Sequence, residues 1–310
     1  MRYCAFGRTG LRVSTVSMGC NRLGDPGTDP AIWPPVVERA LAKGVRFFDT
    51  SNSYNQGRSE AILGEVTARF AEPTVVATKG GVPVETNDFP NREFSTKTIL
   101  AEVENSLRRL RRDTIDMYML HSPSVRQLEV MEWDEVMSKL KSQGKIQFFG
   151  ISTDDHASGI WAIRHGADLL QIDYSLLEPT AEYELLPLAG EHNVGIMVRM
   201  PLARGLLSGK FPVGQEIPPD QQWRRPKGDQ LQLRLRRVEQ LRFLERPGQT
   251  LAQAAIRFVI AHPAVHCAIP GSRTTEQLDA NVAAADGDLT PDELARIRAL
   301  QAEWRAEGRW

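Results

Sequence analysis

The chain has 310 residues and a mass of 34.7 kDa, long enough to bury a core without disulfide or metal staples, which excludes the small stapled scaffolds. Its 38 Lys+Arg against 39 Asp+Glu leave a net charge of -1, so no broad field draws in phosphate polymers or an anionic membrane, and neither is expected as a partner. Hydrophobic residues at 41% and charged residues at 25% describe a folding globular chain, not a disordered one.

In chain order, residues 2–14 end in RTGLRVS, where Thr9-Gly10 reads as a turn between two short strands: an N-terminal hairpin placed to plug one end of a barrel. Eight short apolar, β-branched runs follow, at 15–19, 46–49, 74–79, 115–121, 146–152, 169–173, 195–201 and 266–271. Amphipathic stretches separate them, such as 96–111 with Ile99, Leu100, Val103, Leu107 and Leu110 at helical spacing. Eight strand–helix units predict an α/β fold closed as a (β/α)8 TIM barrel; an open doubly wound sheet has fewer strands and often a glycine-rich loop after the first. Residues 202–249 form a long connection holding IPPDQQWRRPKG and a helical LQLRLRRVEQLRFLE. From Thr290, TPDELARIRALQAEW opens with a Thr cap, Pro and Asp-Glu, an extra C-terminal helix. No segment reads as a linker, so one domain over 1–310 is expected.

The three cysteines, Cys4, Cys20 and Cys267, are scattered and form no CxxC pair, which fits a reducing, cytoplasmic setting. MRYCAFGRTGLRVSTVSMG lacks a signal-peptide core and no apolar run is long enough to span a bilayer, so neither feature is expected. The six histidines show no ligand spacing, and GxGxxG, HExxH and GxSxG are absent, so no metal site is expected. His156, His165, His192 and His262 fall on helices or their ends, where packing is the default.

In a parallel barrel all strand C-termini meet at one mouth. The runs end in Asp49, Lys79, His121, Ser152, Gln171 with Asp173, and Arg199. A single polar strand end is as readily a capped strand as a site; repetition over six strands argues for a site. Tyr54, five residues after Asp49 in FFDTSNSYNQGRSE, is placed to fold over that mouth. An ammonium beside a phenol favours the phenolate and a paired carboxylate keeps the ammonium charged, so Asp49, Lys79 and Tyr54 make a proton donor, with His121 as hydrogen-bond donor or relay. Near the end, AIPGSRTTEQLDANV runs from strand through Gly271, Ser272 and Arg273 into a helix, a weak phosphate-site signal taken alone.

These segments resemble the aldo-keto reductases over essentially the whole length: FGRTGLRVSTVSMG, GVRFFDTSNSYNQGRSEAILG, VVATKGG, IDMYMLHSP, QIDYSLL, PLARGLLSGK and IPGSRTTEQLDAN occur in the family's order. The resemblance implies a nicotinamide cofactor, NADPH/NADP, and reduction of a small-molecule aldehyde or ketone. It implies Tyr54 as general acid, Lys79 lowering its pKa, Asp49 pairing with Lys79, and His121 orienting the carbonyl. It further implies Ser152 and Gln171 at the carboxamide, Leu202, Gly205 and Leu206 along the pyrophosphate, and Gly271, Ser272, Arg273, Gln277 and Asn281 at the adenosine phosphate, with Arg273 favouring NADPH. The chain departs from many relatives at Arg199, where they place an aromatic residue against the nicotinamide and a guanidinium can stack instead, at Thr153 in place of Asn, and at Gln277 in place of Arg.

Two other readings keep the barrel: an NADPH-binding regulatory, redox-sensing subunit, and an enzyme of sugar dehydration or epimerisation. The substrate pocket is expected from 22–33, 82–94, 122–132 and 202–230, with Trp33, Phe89 and Trp223 as its bulkiest candidates and ordinary packing as the favoured reading for each Trp. Neither the substrate nor the oligomeric state can be read from the chain.

Overall fold

The computed structural model describes residues 1–86, 89–217 and 225–308. The expected hairpin is β1 (Tyr3–Ala5) paired antiparallel with β2 (Arg12–Ser14), linked by a 3-10 turn that closes on Gly10 at φ 70°. Then come β3 (Met18–Gly19), β4 (Phe47–Asp49), β5 (Val75–Gly80), β6 (Ile115–His121), β7 (Ile146–Thr153), β8 (Leu169–Asp173), β9 (Gly195–Arg199) and β10 (Cys267–Ala268). Each of these eight pairs in parallel with its sequence neighbours. The seam between β3 and β10 is closed by parallel bridges Val16↔Ala268 and Gly19↔Gly271, and by the Ser17 N–H donating to the Ala268 carbonyl at 2.8 Å. The sheet is thus a (β/α)8 barrel. Its seam strands are two residues long, shorter than the runs 15–19 and 266–271, because regular pairing gives way to single bridges there.

The outer layer comprises α1 (Trp33–Ala42), α2 (Arg58–Thr67), α3 (Thr96–Leu110), α4 (Val125–Val130), α5 (Trp133–Ser142), α6 (His156–Arg164), α7 (Leu185–Glu191), α8 (Gly228–Gln240), α9 (Leu251–Ile260), α10 (Thr275–Val282) and α11 (Pro291–Ala306). α3 shows why they form. Ser95 accepts from the Thr98 N–H at its start, Arg111 ends it at φ 55°, and Ile99, Val103, Leu107 and Leu110 bury one face. α11 is the expected C-terminal helix, opened by a Thr290–Glu293 capping box with Pro291 in its first turn. Among the described residues, no helix is long and apolar enough to cross a membrane.

Strand alternation sorts side chains into two apolar clusters. Phe48, Val76, Leu120, Ile151, Leu170 and Val198 face the helices. Phe47, Ala77, Met117, Met119, Leu169 and Met197 fill the barrel, where Phe6 and Val13 of the hairpin join them. Phe6 is fully buried, its ring 6.0 Å from that of Phe47. A Cβ on Gly195 would lie 2.3 Å from the Phe6 ring, so glycine makes room for the plug.

Candidate active site

The inward alternation that puts Phe47 inside the barrel puts Asp49, two residues on, inside at the mouth. Lys79, His121, Ser152, Gln171 and Arg199 reach the mouth in the same way from β5, β6, β7, β8 and β9, with His121 in register with Ser152 and Ser152 with Gln171. All six predicted strand-end groups therefore share one end of the barrel.

They are joined by hydrogen bonds. Lys79 Nζ donates to Asp49 Oδ1 and to the Thr50 carbonyl, both at 2.7 Å, and is fully buried. Gln171 Nε2 donates to the same Asp49 oxygen at 2.6 Å, while Gln171 Oε1 accepts from Ser152 Oγ at 2.9 Å. Arg199 NH1 donates to Ser152 Oγ at 3.4 Å, and Arg199 Nε donates to Asp173 Oδ1. Asp173 also meets Arg204 NH2 at 3.5 Å. One polar chain thus crosses the mouth from Lys79 to Arg204.

Tyr54 enters on the β4–α2 loop, whose polar residues are spent on holding it. The Thr50 N–H donates to the Ala77 carbonyl and the Asn52 N–H to the Lys79 carbonyl, and Ser59 Oγ donates to the Cys20 carbonyl. The exit runs through three successive left-handed residues, Asn55 (φ 51°), Gln56 (φ 59°) and Gly57 (φ 80°), a sharp reversal that Asn and Gly tolerate best. Asn55 Nδ2 is tied to the Leu23 carbonyl at 2.8 Å. The Lys79 ammonium lies 5.0 Å from the Tyr54 ring centroid, and the His121 ring meets Tyr54 edge-on at 5.9 Å. His121 Nδ1 is 3.3 Å from Ser51 Oγ.

Two opposing effects act on the phenol. Burial pushes the Tyr54 phenol above its ordinary pKa; Lys79 and Arg199 pull it down but do not overcome burial. The expected lowering by Lys79 is present as one contribution, and the net direction is upward. Burial likewise pushes the Asp49 carboxyl up against the pull of Lys79, Gln171 and Arg199.

The second constellation also assembles. Gly271 lies at the seam, where an added Cβ would stand 3.2 Å from Asn21 Oδ1. Ser272 is buried and accepts from Asn281 Nδ2 at 3.1 Å, and Gln277 Oε1 accepts from the Arg273 N–H at 2.9 Å, so Gln277 and Asn281 brace the loop. Thr274 caps α10 by accepting from the Gln277 N–H, leaving Arg273 exposed at the helix start. Leu202, Gly205 and Leu206 follow β9 in a kinked segment where Met200, Ala203 and Arg204, none of them glycine, hold φ of 56°, 46° and 58°. Strain of this kind collects where a ligand is held.

Two observations test the fit of an anionic dinucleotide. Arg22, Arg225 and Arg273 approach from three segments closely enough that, after burial, the other two guanidiniums hold Arg225 below its ordinary pKa. Arg225 itself is fastened to the Arg204 carbonyl at 2.7 Å. Arg204 Nε is buried with no hydrogen-bond partner among the described residues. Converging cations and an unmatched donor suit phosphate oxygens, so the residues present fit such a cofactor. Arg22, Arg204 and Arg225 are not singled out by any sequence motif, although Arg22 falls in the expected pocket-wall segment 22–33 and Arg204 and Arg225 fall in 202–230.

Of the pocket candidates, Phe89 packs edge-on against His121 with centroids 4.9 Å apart, as a wall residue would. Trp33 is 1% exposed in the helix-side core, the ordinary packing that was the favoured reading for it. Trp223 lies outside the described residues. No group of three or more potential metal ligands occurs among the described residues. His165 stacks on Trp161 at 3.7 Å and His262 packs on Tyr174 at 6.0 Å, both in structural roles.

A family model described as "Aldo/keto reductase family" matches residues 15–302. The chain is 33% identical to an uncharacterized oxidoreductase, YrpG, of Bacillus subtilis over 97% of its own length and 96% of that protein's. It is 28% identical to an NADH-specific methylglyoxal reductase of Escherichia coli, covering 97% and 98% respectively. The holo form of the aldo-keto reductase AKR11C1 from Bacillus halodurans is similar in structure at TM-score 0.81 and 30% identity, over 97% of this chain and 96% of that one. The glycerol dehydrogenase AKR11B4 from Gluconobacter oxydans gives a TM-score of 0.80 at 28% identity, over 98% and 95%. The mouth chemistry, the barrel that carries it and these likenesses agree, and the chain belongs to the aldo/keto reductase family of oxidoreductases.

Proposed function

We propose that the barrel mouth reduces the carbonyl of a small aldehyde or ketone with NADPH, Tyr54 supplying the proton, within a single catalytic domain over 1–310. The observation that carries this reading is the buried Lys79–Asp49 pair beneath the Tyr54 ring. Burial keeps the Tyr54 proton in place at neutral pH, and the ammonium beneath the ring stabilises the phenolate as that proton leaves Oη. Asp49 holds the Lys79 Nζ in place, and Gln171 fixes Asp49 from the other side. The His121 imidazole, against Tyr54, orients the carbonyl oxygen toward the phenol. Ser152 and Gln171 offer partners to the carboxamide, Leu202, Gly205 and Leu206 their backbone to the pyrophosphate, and Arg273, beside Ser272 and the start of α10, its guanidinium to the 2′-phosphate that separates NADPH from NADH. When bound, the reduced nicotinamide supplies the hydride that the substrate carbon accepts.

The test is NADPH absorbance with a panel of aldehydes, ketones and sugars. Consumption that depends on the carbonyl compound is expected. Product formation without net consumption contradicts the reading in favour of dehydration or epimerisation, and slow single-turnover oxidation by a protein lodged in a larger assembly contradicts it in favour of a redox-sensing subunit.

A further inference from the structure

Arg199 is unusual among the mouth residues, because the polar chain would be complete without its charge. Lys79 already neutralises Asp49, and Gln171 and Ser152 already satisfy each other. Arg199 nevertheless ends β9 with its side chain 14% exposed, its NH1 on the Ser152 hydroxyl and its Nε on Asp173. Ser152 is one of the two residues read as holding the carboxamide, so the guanidinium stands beside the place where a nicotinamide ring would lie.

Around that place three cations, Lys79, Arg199 and Arg204, meet two enclosed carboxylates, Asp49 and Asp173. The single Asp173 carboxylate is shared by Arg199 and Arg204. Asp154, a further carboxylate 3.9 Å away, also favours the charged guanidinium, but with its side chain 62% exposed it is screened by solvent more than Asp173 is. The Arg199 charge is felt nearby, since it pulls on both Tyr54 and Asp49 against the upward push of burial. A nicotinamide ring is positively charged when oxidised and neutral when reduced. A fixed cation beside it repels only the first.

We propose that Arg199, positioned by Asp173, makes this mouth discriminate between the redox states of its cofactor, holding the reduced form and weakening the grip on the oxidised one. This rests on the nicotinamide reading of the mouth. It gives the chain an electrostatic bias toward reduction, because the spent cofactor is the form that leaves.

The experiment is fluorescence titration of the full-length protein with NADPH and with NADP+, for wild type, Arg199→Gln, Arg199→Lys and Asp173→Asn, with each variant's fold checked by circular dichroism. The ratio Kd(NADP+)/Kd(NADPH) should fall roughly five- to tenfold in Arg199→Gln, the order expected for one screened unit charge at close range. It should be largely kept in Arg199→Lys, and it should rise in Asp173→Asn, which removes the counter-charge and leaves the cation. A merely structural role moves both affinities together and leaves the ratio alone. An unchanged ratio in Arg199→Gln and Asp173→Asn overturns the proposal, whereas failure of the wild type to bind either form overturns the nicotinamide reading itself.

Discussion

The two ends of the barrel are built from the same strands and follow opposite rules. At the hairpin end, inward residues are Phe47, Met117, Leu169 and Met197, sealed by the buried Phe6 ring. Two residues further along the same strands stand Asp49, Met119 followed by His121, Gln171 and Arg199, where charge is buried and then paired. Burying an ion pair costs desolvation that its attraction barely returns, whereas burying a ring is favourable outright. The hairpin end therefore holds the fold together, and the mouth is where stability is given up for chemistry.

The sharpest way to break that contrast is at Lys79. Lys79→Met strands Asp49 in the core and should cost about 3–5 kcal/mol of stability along with turnover. The double variant Asp49→Leu/Lys79→Met should regain most of the stability, read by urea denaturation, and none of the turnover. If it regains neither, the pair is structural after all. Phe6→Ala should cost a comparable ~3–5 kcal/mol by opening a cavity at the closed end. Cofactor affinity of the folded fraction should be unchanged, and a loss in affinity would mean that the two ends are coupled. Arg273→Ala should weaken NADPH binding by about 1.5–3 kcal/mol, the worth of a hydrogen bond to a charged group, and leave NADH binding nearly untouched, by fluorescence titration. Equal losses would remove Arg273 from the phosphate.

A pH-dependent effect of similar size lies behind the lysine strand, outside the barrel. Glu102 of α3 accepts from the Gly81 N–H at 2.6 Å, and burial, with Glu60 adding to it, pushes its carboxyl up to about 7 against the pull of Gly81, Asn52 and Arg109. A carboxyl raised from its ordinary 4.5 binds an extra proton in the folded state, so its contribution to stability is full below about 4.5 and is lost as pH rises through about 7. Tm should therefore fall less between pH 5 and 8 in Glu102→Gln than in wild type, by up to ~3 kcal/mol of equivalent stability.

Much of this was legible because the barrel repeats one rule. Apolar runs of strand length, ending in a polar residue, gave β4 to β9 nearly to the residue, and the Thr290 cap announced α11. The mouth residues were legible for the same reason, since position on a parallel strand fixes which end a side chain joins. What escaped were quantities that only packing decides. The net direction of the Tyr54 pKa depends on burial, which the order of residues does not carry, whereas the effect of Lys79 could be foreseen. Trp33 did not escape: ordinary packing was its favoured reading, and it shares the buried face of α1 with Val36 and Val37. Arg204 and Arg225 gain their setting from a backbone kink after β9 that no local motif announces, and Asp173 was visible as a strand end while its sharing between two arginines was not.

The central claim is that Tyr54, above the Lys79–Asp49 pair, donates the proton in carbonyl reduction. Rapid-mixing absorbance of a single turnover, with NADPH bound beforehand and an aldehyde that the wild type reduces, tests it in Tyr54→Phe. The rate should fall about 10²–10⁴-fold, the usual worth of general acid catalysis, while NADPH affinity and Tm stay at wild-type values. A Tyr54→Phe protein that reduces the aldehyde at the wild-type rate would contradict the account.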